Sequence, residues 1–277
     1  MGDRPRLLVV GDVIDDTIVI PSGPIRADTD TVSTIRQVPG GSAANTAAWL
    51  AALGADVSFV GAVHRADVDR HRAALPGVDA RLQPSDTPTG AIIVLVQGSE
   101  RAMLTDRGAN ADLDFDAIPD GLIGDHVHLT GHAMAASDGS AFARFIGRAK
   151  DAGATVSVSP GSVAYIDALG PDRFAAVIAG ADVLIASAAE AEALAFAPPS
   201  ATLVLTQGAD GVIVDGAHVP AVTAPAAVDP TGAGDAFCAG FLARWSVDRD
   251  AVAAAREGAA VAARAVGMIG ARPAQPK

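Results

Sequence analysis

The chain has 277 residues and a hydrophobic content of 50%, enough to bury the core of one large or two small domains. Its net charge of -12 argues against nucleic acid and anionic membranes as partners, because both favour basic surfaces. Cys238 is the sole cysteine, which excludes an internal disulfide and a cysteine-cluster zinc site. The first residues lack the apolar segment of a signal peptide, and no later segment has the composition of a membrane span. We therefore expect a globular cytoplasmic protein.

The first part of the chain mixes buried and exposed patterns. A short apolar run ends in polar residues, and a Thr/Val/Ile alternation broken by Pro and Gly follows it. Two glycines then open an Ala-rich segment that ends at Gly54, a residue suited to a helix C-terminus. The predicted elements are a buried strand over 7–10, exposed antiparallel strands within 17–38, a helix over 43–53, a strand over 57–60 and a hairpin over 89–104 that turns at 97–100.

From residue 126 onward, strand and helix patterns alternate. Strands are predicted over 127–129, 155–158, 183–186, 203–205 and 212–214, with helices over 140–152, 173–179 and 188–195, and with two Ala-rich helices near the end. This alternation is typical of an α/β fold with a doubly wound, mostly parallel sheet flanked by helices. We expect one α/β domain over 1–277, with two β-rich excursions, 17–38 and 89–104, that pair into a small lid.

A glycine-rich stretch, VDPTGAGDAFCAGF over residues 228–241, raises the question of phosphate binding. Its small residues, Gly232-Ala233-Gly234, would let backbone N–H groups approach an anion, and the helix predicted after them would point its positive end at the same place. Asp235 would repel a phosphate, so it is better explained as a general base that deprotonates an attacking hydroxyl. The alternative is that Asp235 only caps the helix.

Three common nucleotide and nucleophile motifs are absent. A GxGxxG motif would need glycine at position 237, where the chain has Phe237. No GxxxxGK[ST] loop and no GxSxG elbow occurs anywhere.

The sequence resembles the PfkB family of carbohydrate kinases, which have the ribokinase-like fold. DPTGAGDAF over 229–237 resembles that family's signature DTxGAGDxF, with Pro230 in place of the first Thr. GGSAAN over 40–45 is similar to the signature GGxxxN, and TQGADG over 206–211 is similar to TxGxxG. The matches occur in family order across nearly the whole chain.

The resemblance implies an ATP-dependent phosphotransferase that phosphorylates a hydroxyl of a sugar or sugar-like molecule. It implies Asp235 as the catalytic base. The other implied sites are an anion hole from the amides of Gly232, Ala233 and Gly234, acceptor binding by Asp16, Gly40, Gly41 and Asn45, and a nucleotide side lined by Thr206, Gly208 and Gly211.

The resemblance also implies cofactors and an assembly. Glu190 falls at the acid of the family's NxxE motif, which organises Mg²⁺ through water. Asp229 and Thr231 lie where many relatives bind a monovalent cation such as K⁺. The lid of this family often forms a homodimer contact as well.

The positions of Asp16 and Asn45 support an acceptor site independently. Asp16 follows the first strand and Asn45 lies in the first turn of the first helix, so both belong at the carboxyl edge of the sheet, where ligands bind. A carboxylate and an amide suit neutral polyol hydroxyls. Neither would attract a phosphorylated acceptor.

The chain departs from the family pattern at three positions. Ser187 replaces the Asn of the NxxE motif, which puts the magnesium water network in question. Ile14 stands where ribokinases carry Asn, which weakens ribose as the acceptor, and Ala259 replaces a residue that often contacts the nucleotide.

Two alternative functions stay open on the sequence. An adenosine-type nucleoside kinase would favour aromatic residues around the base, and this chain has eight Phe, two Trp and one Tyr. A catalytically silent nucleotide- or sugar-binding protein of the same fold is the other alternative, although the intact Gly-x-Gly-Asp argues against it.

Some polar residues have no role in this scheme. His126 and His128 point to the same face of a predicted strand, but they lack an acidic or thiolate partner that would favour zinc. His132, just beyond that strand, is a candidate for the substrate pocket. Arg101 and Arg107 lie in or beside the lid, where solvated charge is the simpler interpretation.

Overall fold

A nine-stranded sheet forms the centre of the protein. The computed structural model describes residues 4–97, 100–134, 138–194, 201–224 and 229–274. Its strands, in chain order, are β1 (Arg6–Val10), β2 (Ile14–Pro21), β3 (Ser33–Gly40), β4 (Asp56–Val60), β5 (Ala62–His64), β6 (Asp79–Ala80), β7 (Gln83–Ser85), β8 (Gly90–Gln97), β9 (Glu100–Asp106), β10 (His126–Thr130), β11 (Thr155–Ser159), β12 (Val183–Ser187), β13 (Thr202–Thr206), β14 (Val212–Val214) and β15 (Ala217–Val219).

The order of the strands fixes where a ligand site can form. The central sheet runs β15-β14-β13-β12-β11-β10-β1-β4-β6, parallel from β13 to β6 and antiparallel over β13, β14 and β15. The chain turns outward in opposite directions from β1 and β10, which are neighbours. This switch point opens a crevice beyond their carboxyl ends. The expected doubly wound, mostly parallel α/β fold is confirmed.

Helices cover both faces of this sheet. They are α1 (Ser42–Ala52), α2 (Val68–Ala73), α3 (Ser140–Asp151), α4 (Val163–Leu169), α5 (Pro171–Val177), α6 (Ala188–Leu194), α7 (Ala233–Asp248) and α8 (Ala251–Val266). One core layer packs α1, α7 and α8 against the sheet, and the opposite layer holds α3 and α5. The closest approach lies between α7 and α8, where a Cβ on Gly240 would come within 2.9 Å of the Gly258 Cα. The small residues of these helices therefore permit the tight layering.

The two β-rich excursions pair into one separate sheet, as expected from the sequence. Its order is β3-β2-β8-β9, with β2 antiparallel to β3 and parallel to β8. The hairpin of β8 and β9 is present, and its turn at 98–99 lies outside the described residues. The register puts alternate residues on opposite faces, so Ile92, Val94 and Met103 share the face that lines a cavity at the switch point.

Several elements differ from the sequence expectation. The helices α2 and α4 are absent from the prediction, because helices of six or seven residues depend on tertiary packing more than on propensity. The helix α7 begins at Ala233, which puts Asp235 inside its first turn and not before it. Within the described residues, none of the helices combines the length and hydropathy that a membrane crossing requires.

Candidate active site

Asp12 ties together the three elements that meet at the switch point. Its carboxylate accepts hydrogen bonds from the backbone N–H groups of Ser42 and Ala43 at 2.7 and 3.2 Å, and from the Thr130 hydroxyl at 2.9 Å. Gly41 has φ +97°, and a Cβ there would lie 2.5 Å from the Asp12 carbonyl oxygen, so only glycine fits this turn. The sequence suggested a simple polar turn for Asp12, but it is a buried acceptor that holds the N-terminus of α1.

Asp16 projects from β2 into the crevice. Gly40 makes room for it, because a Cβ at position 40 would come 2.2 Å from the Asp16 Oδ2. Burial, reinforced by the neighbouring Asp12 carboxylate, raises the pKa of Asp16 to about 6, and Arg272 opposes this effect. The predicted acceptor residues Asp16, Gly41 and Asn45 line the same cavity.

Asp235 is joined to Asn45 and Arg272 by a chain of hydrogen bonds. Asn45 Nδ2 donates to Asp235 Oδ2 at 2.9 Å, and Arg272 Nε donates to Asn45 Oδ1 at 3.0 Å. Arg272 also donates to the carbonyls of Gly40 and Ala74 at 2.9 and 3.1 Å. Asn45 is thus oriented from both ends of its amide. Its predicted partner was an acceptor hydroxyl, and here its N–H is directed at the carboxylate that would act on that hydroxyl.

The environment of Asp235 suits proton transfer near neutral pH. Burial raises the pKa of Asp235 to about 7, with a further increase from Asp12, while the hydrogen bond from Asn45 lowers it. A base with a pKa near the working pH combines a large deprotonated fraction with adequate proton affinity. Burial also lowers the pKa of Arg272 to about 10, against the opposing effect of the nearby carboxylates, so its guanidinium stays charged at neutral pH.

The loop before α7 leaves backbone donors open beside Asp235. Gly232 has φ +76°, and a Cβ there would lie 2.5 Å from the Ala271 Cα. The N–H of Ala233 donates to the Pro230 carbonyl at 3.2 Å, so it is not free as the sequence suggested. Among the described residues, no protein acceptor takes the N–H groups of Gly232, Gly234 and Asp235. These open groups lie at the positive end of a 16-residue helix.

Three cavities converge on Gly234 at the start of α7. One, of about 360 Å³, lies under the β3-β2-β8-β9 sheet and holds Asp16, Asn45 and Asp235. Another, of about 590 Å³, is largely apolar. A smaller one of about 210 Å³ lies beneath Asp235. Gly234 lines all three cavities, so Asp235 lies directly beside the point where they meet.

The apolar cavity contains the predicted nucleotide residues. Thr206, Gly208 and Gly211 line it together with Ala259, and Phe237 of α7 forms part of its wall. Its volume lies within the range of ordinary small-molecule sites. Ala259 contributes only a methyl group to this wall.

Glu190 and Ser187 form a reciprocal cap at the start of α6. Glu190 Oε2 accepts from the backbone N–H and the hydroxyl of Ser187 at 2.7 and 2.9 Å, and the Glu190 N–H donates back to that hydroxyl at 3.3 Å. Glu190 also lines the small cavity, along with Thr206 and Asp235. Ser187 thus fixes the position of Glu190 in this chain.

Asp229 and Thr231 bond to each other next to the C-terminal segment. Asp229 Oδ1 accepts from the N–H and the hydroxyl of Thr231 at 2.9 and 2.6 Å, and Asp229 Oδ2 accepts from the Gly270 N–H at 3.1 Å. These bonds hold the glycine loop against residues 270–271.

The histidines of β10 lie within hydrogen-bond distance of hydroxyl groups. His126 lies 2.8 Å from both the Thr155 and the Ser157 hydroxyls, and His128 lies 2.8 Å from Ser157. Burial lowers the pKa of His128 to about 3, so it is neutral. No group of three or more potential metal-binding side chains occurs in the described part of the chain. Cys238 packs against His128, with its sulfur 3.4 Å from Nε2.

Sequence reasoning missed two residues of the site. Arg272 lies near the end of the chain, where nothing in the local pattern signals a buried role. Tyr165 lies on the unpredicted helix α4. Together with Arg107 and His132, it lines the cavity of about 360 Å³. Only the packing of distant segments brings these side chains to the crevice.

A buried carboxylate beside open amides at a helix N-terminus, where a polar cavity adjoins a nucleotide-sized apolar one, suits phosphoryl transfer to an alcohol. The comparisons identify the family. The family model described as pfkB family carbohydrate kinase matches residues 4–277, and the chain belongs to that family.

Individual relatives have two kinds of acceptor in their names. The chain is 32% identical to an ATP-dependent ribose-1-phosphate kinase of Halopiger xanaduensis, over 97% of this chain and 94% of that protein. It is 30% identical to a fructokinase of Klebsiella pneumoniae, over 86% of this chain and 83% of that protein. The adenosine kinase structure from Sinorhizobium meliloti superposes with a TM-score of 0.82 at 23% identity, covering 98% of this chain and 96% of that one. The protein is an ATP-dependent carbohydrate kinase, and use of ATP and Mg²⁺ follows from its family.

Proposed function

We propose that Asp235 is the general base that deprotonates the acceptor hydroxyl of a sugar. The observation that carries this proposal is its position at the meeting of two cavities, bonded to Asn45 and with a pKa raised to about 7. Asp235 takes the hydroxyl proton while the hydroxyl oxygen bonds to the γ-phosphorus of ATP and the bond to the ADP oxygen breaks. Asp16 and Asn45 hold the acceptor, and Gly40 and Gly41 allow it to approach the loop.

The amides at the start of α7 stabilise the transferring phosphoryl group. Gly232 and Gly234 supply open N–H groups, and the helix dipole adds a positive potential at the same place. The Asp235 N–H joins this set. The Ala233 amide shares its hydrogen with Pro230 and makes a smaller contribution.

Thr206, Gly208 and Gly211 line the side of the cavity that takes ATP. The residues present suit Mg²⁺, since this ion keeps several waters and needs only one or two carboxylates besides the phosphates. Glu190 provides such a carboxylate in the small cavity next to Asp235. When bound, the ion neutralises charge on the phosphates.

Asp229 and Thr231 form a potassium site with neighbouring backbone carbonyls. Their oxygens are fixed beside the glycine loop, so a cation there would stiffen the anion hole. Activity in K⁺ against an equal concentration of a quaternary ammonium salt tests this assignment.

The sheet β3-β2-β8-β9 acts as a lid and as a dimer surface. Its face away from the cavity carries Ile35, Ile93 and Leu104, which are 62%, 43% and 62% exposed. A monomer rarely leaves such a row of apolar side chains in water. Light scattering of the wild type and of Leu104→Glu tests the assembly, since only the former should dimerise.

The proposed reaction is tested by ADP release with a panel of ribose, fructose, ribose 1-phosphate and adenosine. At least one sugar should stimulate ADP formation, and Asp235→Asn should abolish that stimulation. Failure of every acceptor would favour a silent nucleotide-binding protein.

A further inference from the structure

Arg107 occupies a fixed place in the wall of the cavity of about 360 Å³ that holds Asp16, Asn45 and Asp235, which is the proposed acceptor cavity. It lies between β9 and a short 3-10 turn, Gly108–Asp112. The Asn110 side chain donates to the Arg107 carbonyl at 3.0 Å and to the Val13 carbonyl at 3.0 Å. These two hydrogen bonds from one side chain anchor the backbone of Arg107 to the segment that follows β1. The guanidinium is therefore presented from a rigid point, although it directly follows a lid strand.

The guanidinium of Arg107 is partly buried and forms no ion pair with a carboxylate of the described residues. Its central carbon lies 4.0 Å from the centroid of the Tyr165 ring, a cation–π contact. Its Nη1 is buried and has no hydrogen-bond acceptor in the part of the chain that the structure describes. Elsewhere in the described residues, arginines such as Arg70 and Arg144 pair with carboxylates at 2.7 and 2.5 Å. In a chain with 32 acidic and 20 basic residues, an unpaired arginine inside a cavity points to a partner that arrives from outside.

The carboxylates of the same cavity do not supply that partner. Asp12 is taken by Ser42, Ala43 and Thr130, and lies 3.6 Å from His132 Nδ1. Asp235 is bonded to Asn45, and the charge next to Asp16 is Arg272. Each acid thus has its own donor or cation at the end of the cavity where the hydroxyl is activated. Arg107 remains as the open positive charge.

The surroundings of Arg107 also disfavour a nucleoside. Tyr165 is the sole tyrosine of the chain, and its ring face is covered by Arg107 while His132 packs against it edge-to-face with centroids 5.0 Å apart. A purine base could not stack on that face without displacing the guanidinium. Strands β8 and β9 of the lid contribute Ile92, Val94, Met103 and Thr105 to the wall of this cavity, and none of these side chains is aromatic.

We propose that the acceptor carries an anionic group, a phosphate or a carboxylate. In this proposal Arg107, which packs on Tyr165 beside His132, binds that group. A guanidinium offers the two parallel N–H donors that both anions accept. The inference rests on the proposed sugar kinase function and replaces the neutral acceptor expected from Asp16 and Asn45 alone. Those two residues hold the hydroxyl end of the acceptor, and Arg107 holds the charged end.

The test compares Arg107→Gln with wild type on ribose 1-phosphate, gluconate, ribose and fructose. Wild type should prefer one of the anionic acceptors. The substitution should lower the ratio of kcat/KM for that anionic acceptor to kcat/KM for ribose by about 30-fold or more, mainly through a higher KM for the anionic acceptor. Preference for ribose 1-phosphate or for gluconate distinguishes phosphate from carboxylate. Arg36→Gln, an exposed arginine on lid strand β3, is the matched control and should leave the ratio unchanged.

A second measurement covers the case in which Arg107→Gln folds poorly. Inorganic phosphate or sulfate should inhibit the wild type competitively against the acceptor and should inhibit Arg107→Lys more weakly. An equal loss of kcat/KM on all four acceptors, or wild-type preference for the neutral sugars, would overturn the inference. Absence of ADP formation with every acceptor in the wild type would instead refute the kinase function itself.

Discussion

Replacing Asp235 by Asn removes the proposed proton acceptor of the site and preserves the shape of the site. Asn is isosteric with Asp, and its side-chain oxygen can still accept the 2.9 Å hydrogen bond from Asn45 Nδ2. The open N–H groups at the start of α7 and the apolar nucleotide cavity are untouched. The substitution therefore isolates the base from the other parts of the site.

The expected loss of turnover follows from the role of a general base. Such a group contributes a factor of about 10² to 10⁴ to the rate. The kcat of Asp235→Asn should therefore decrease by at least about that factor, while the Kd of ATP changes little. In wild type, the base must be deprotonated, and burial raises its pKa to about 7. The value of kcat/KM should therefore rise about tenfold from pH 6 to pH 8 and then level off.

The same substitution should stabilise the fold at alkaline pH. A carboxyl whose pKa rises from 3.8 when unfolded to about 7 when folded binds its proton more tightly in the native state. Its contribution to the free energy of unfolding is favourable at low pH and is lost as the pH rises from about 4 to about 7. The full shift corresponds to roughly 4 kcal/mol, and water in the adjoining cavity reduces this to on the order of 2 kcal/mol. Asn avoids the cost, because it carries no charge.

Two assays on the same preparations check this reasoning. Steady-state ADP release between pH 5.5 and 8.5 reports the base, and urea unfolding at pH 5 and pH 8 reports the buried charge. Asp235→Asn should be inactive but more stable than wild type at pH 8, with the difference shrinking at pH 5. Near-normal turnover would refute the base assignment. A variant less stable than wild type at pH 8 would refute the account of burial.

Three further substitutions probe the supports of the site. Arg272→Met should lower the free energy of unfolding by about 1 to 3 kcal/mol, because the Gly40 and Ala74 carbonyls lose a buried donor. It should also raise the apparent pKa of Asp235 in the pH profile of kcat/KM. An unchanged pH profile would contradict the electrostatic role of Arg272. Ser187→Ala should cost about 1 kcal/mol in urea unfolding by removing the α6 cap, and no loss would mean that Glu190 is held otherwise. Gly232→Ala should lower kcat and should lower the free energy of unfolding by more than about 1 kcal/mol. The reason is that a Cβ at position 232 would lie 2.5 Å from the Ala271 Cα. An unchanged Tm in calorimetry would contradict this prediction.

The sequence predicted the fold and the motif positions well, because these depend on local patterns. The alternation of apolar strands and Ala-rich helices indicated a doubly wound sheet, and the β-rich segments indicated the second sheet. The glycine signatures marked where the chain must turn tightly, as at Gly41 and Gly232. It missed α2 and α4, whose short lengths leave little periodic signal.

What the sequence determined by itself was the family and the places where only glycine fits, and it predicted Asp235 as the base. The tertiary structure decided which distant side chains surround that base. Asn45 meets Asp235 across 190 residues, and Arg272 meets Asn45 across 227. No local pattern encodes such contacts, because they arise from the packing of α1, α7 and the C-terminal segment around one sheet edge. The pKa of Asp235 and the unpaired charge of Arg107 are both consequences of that packing.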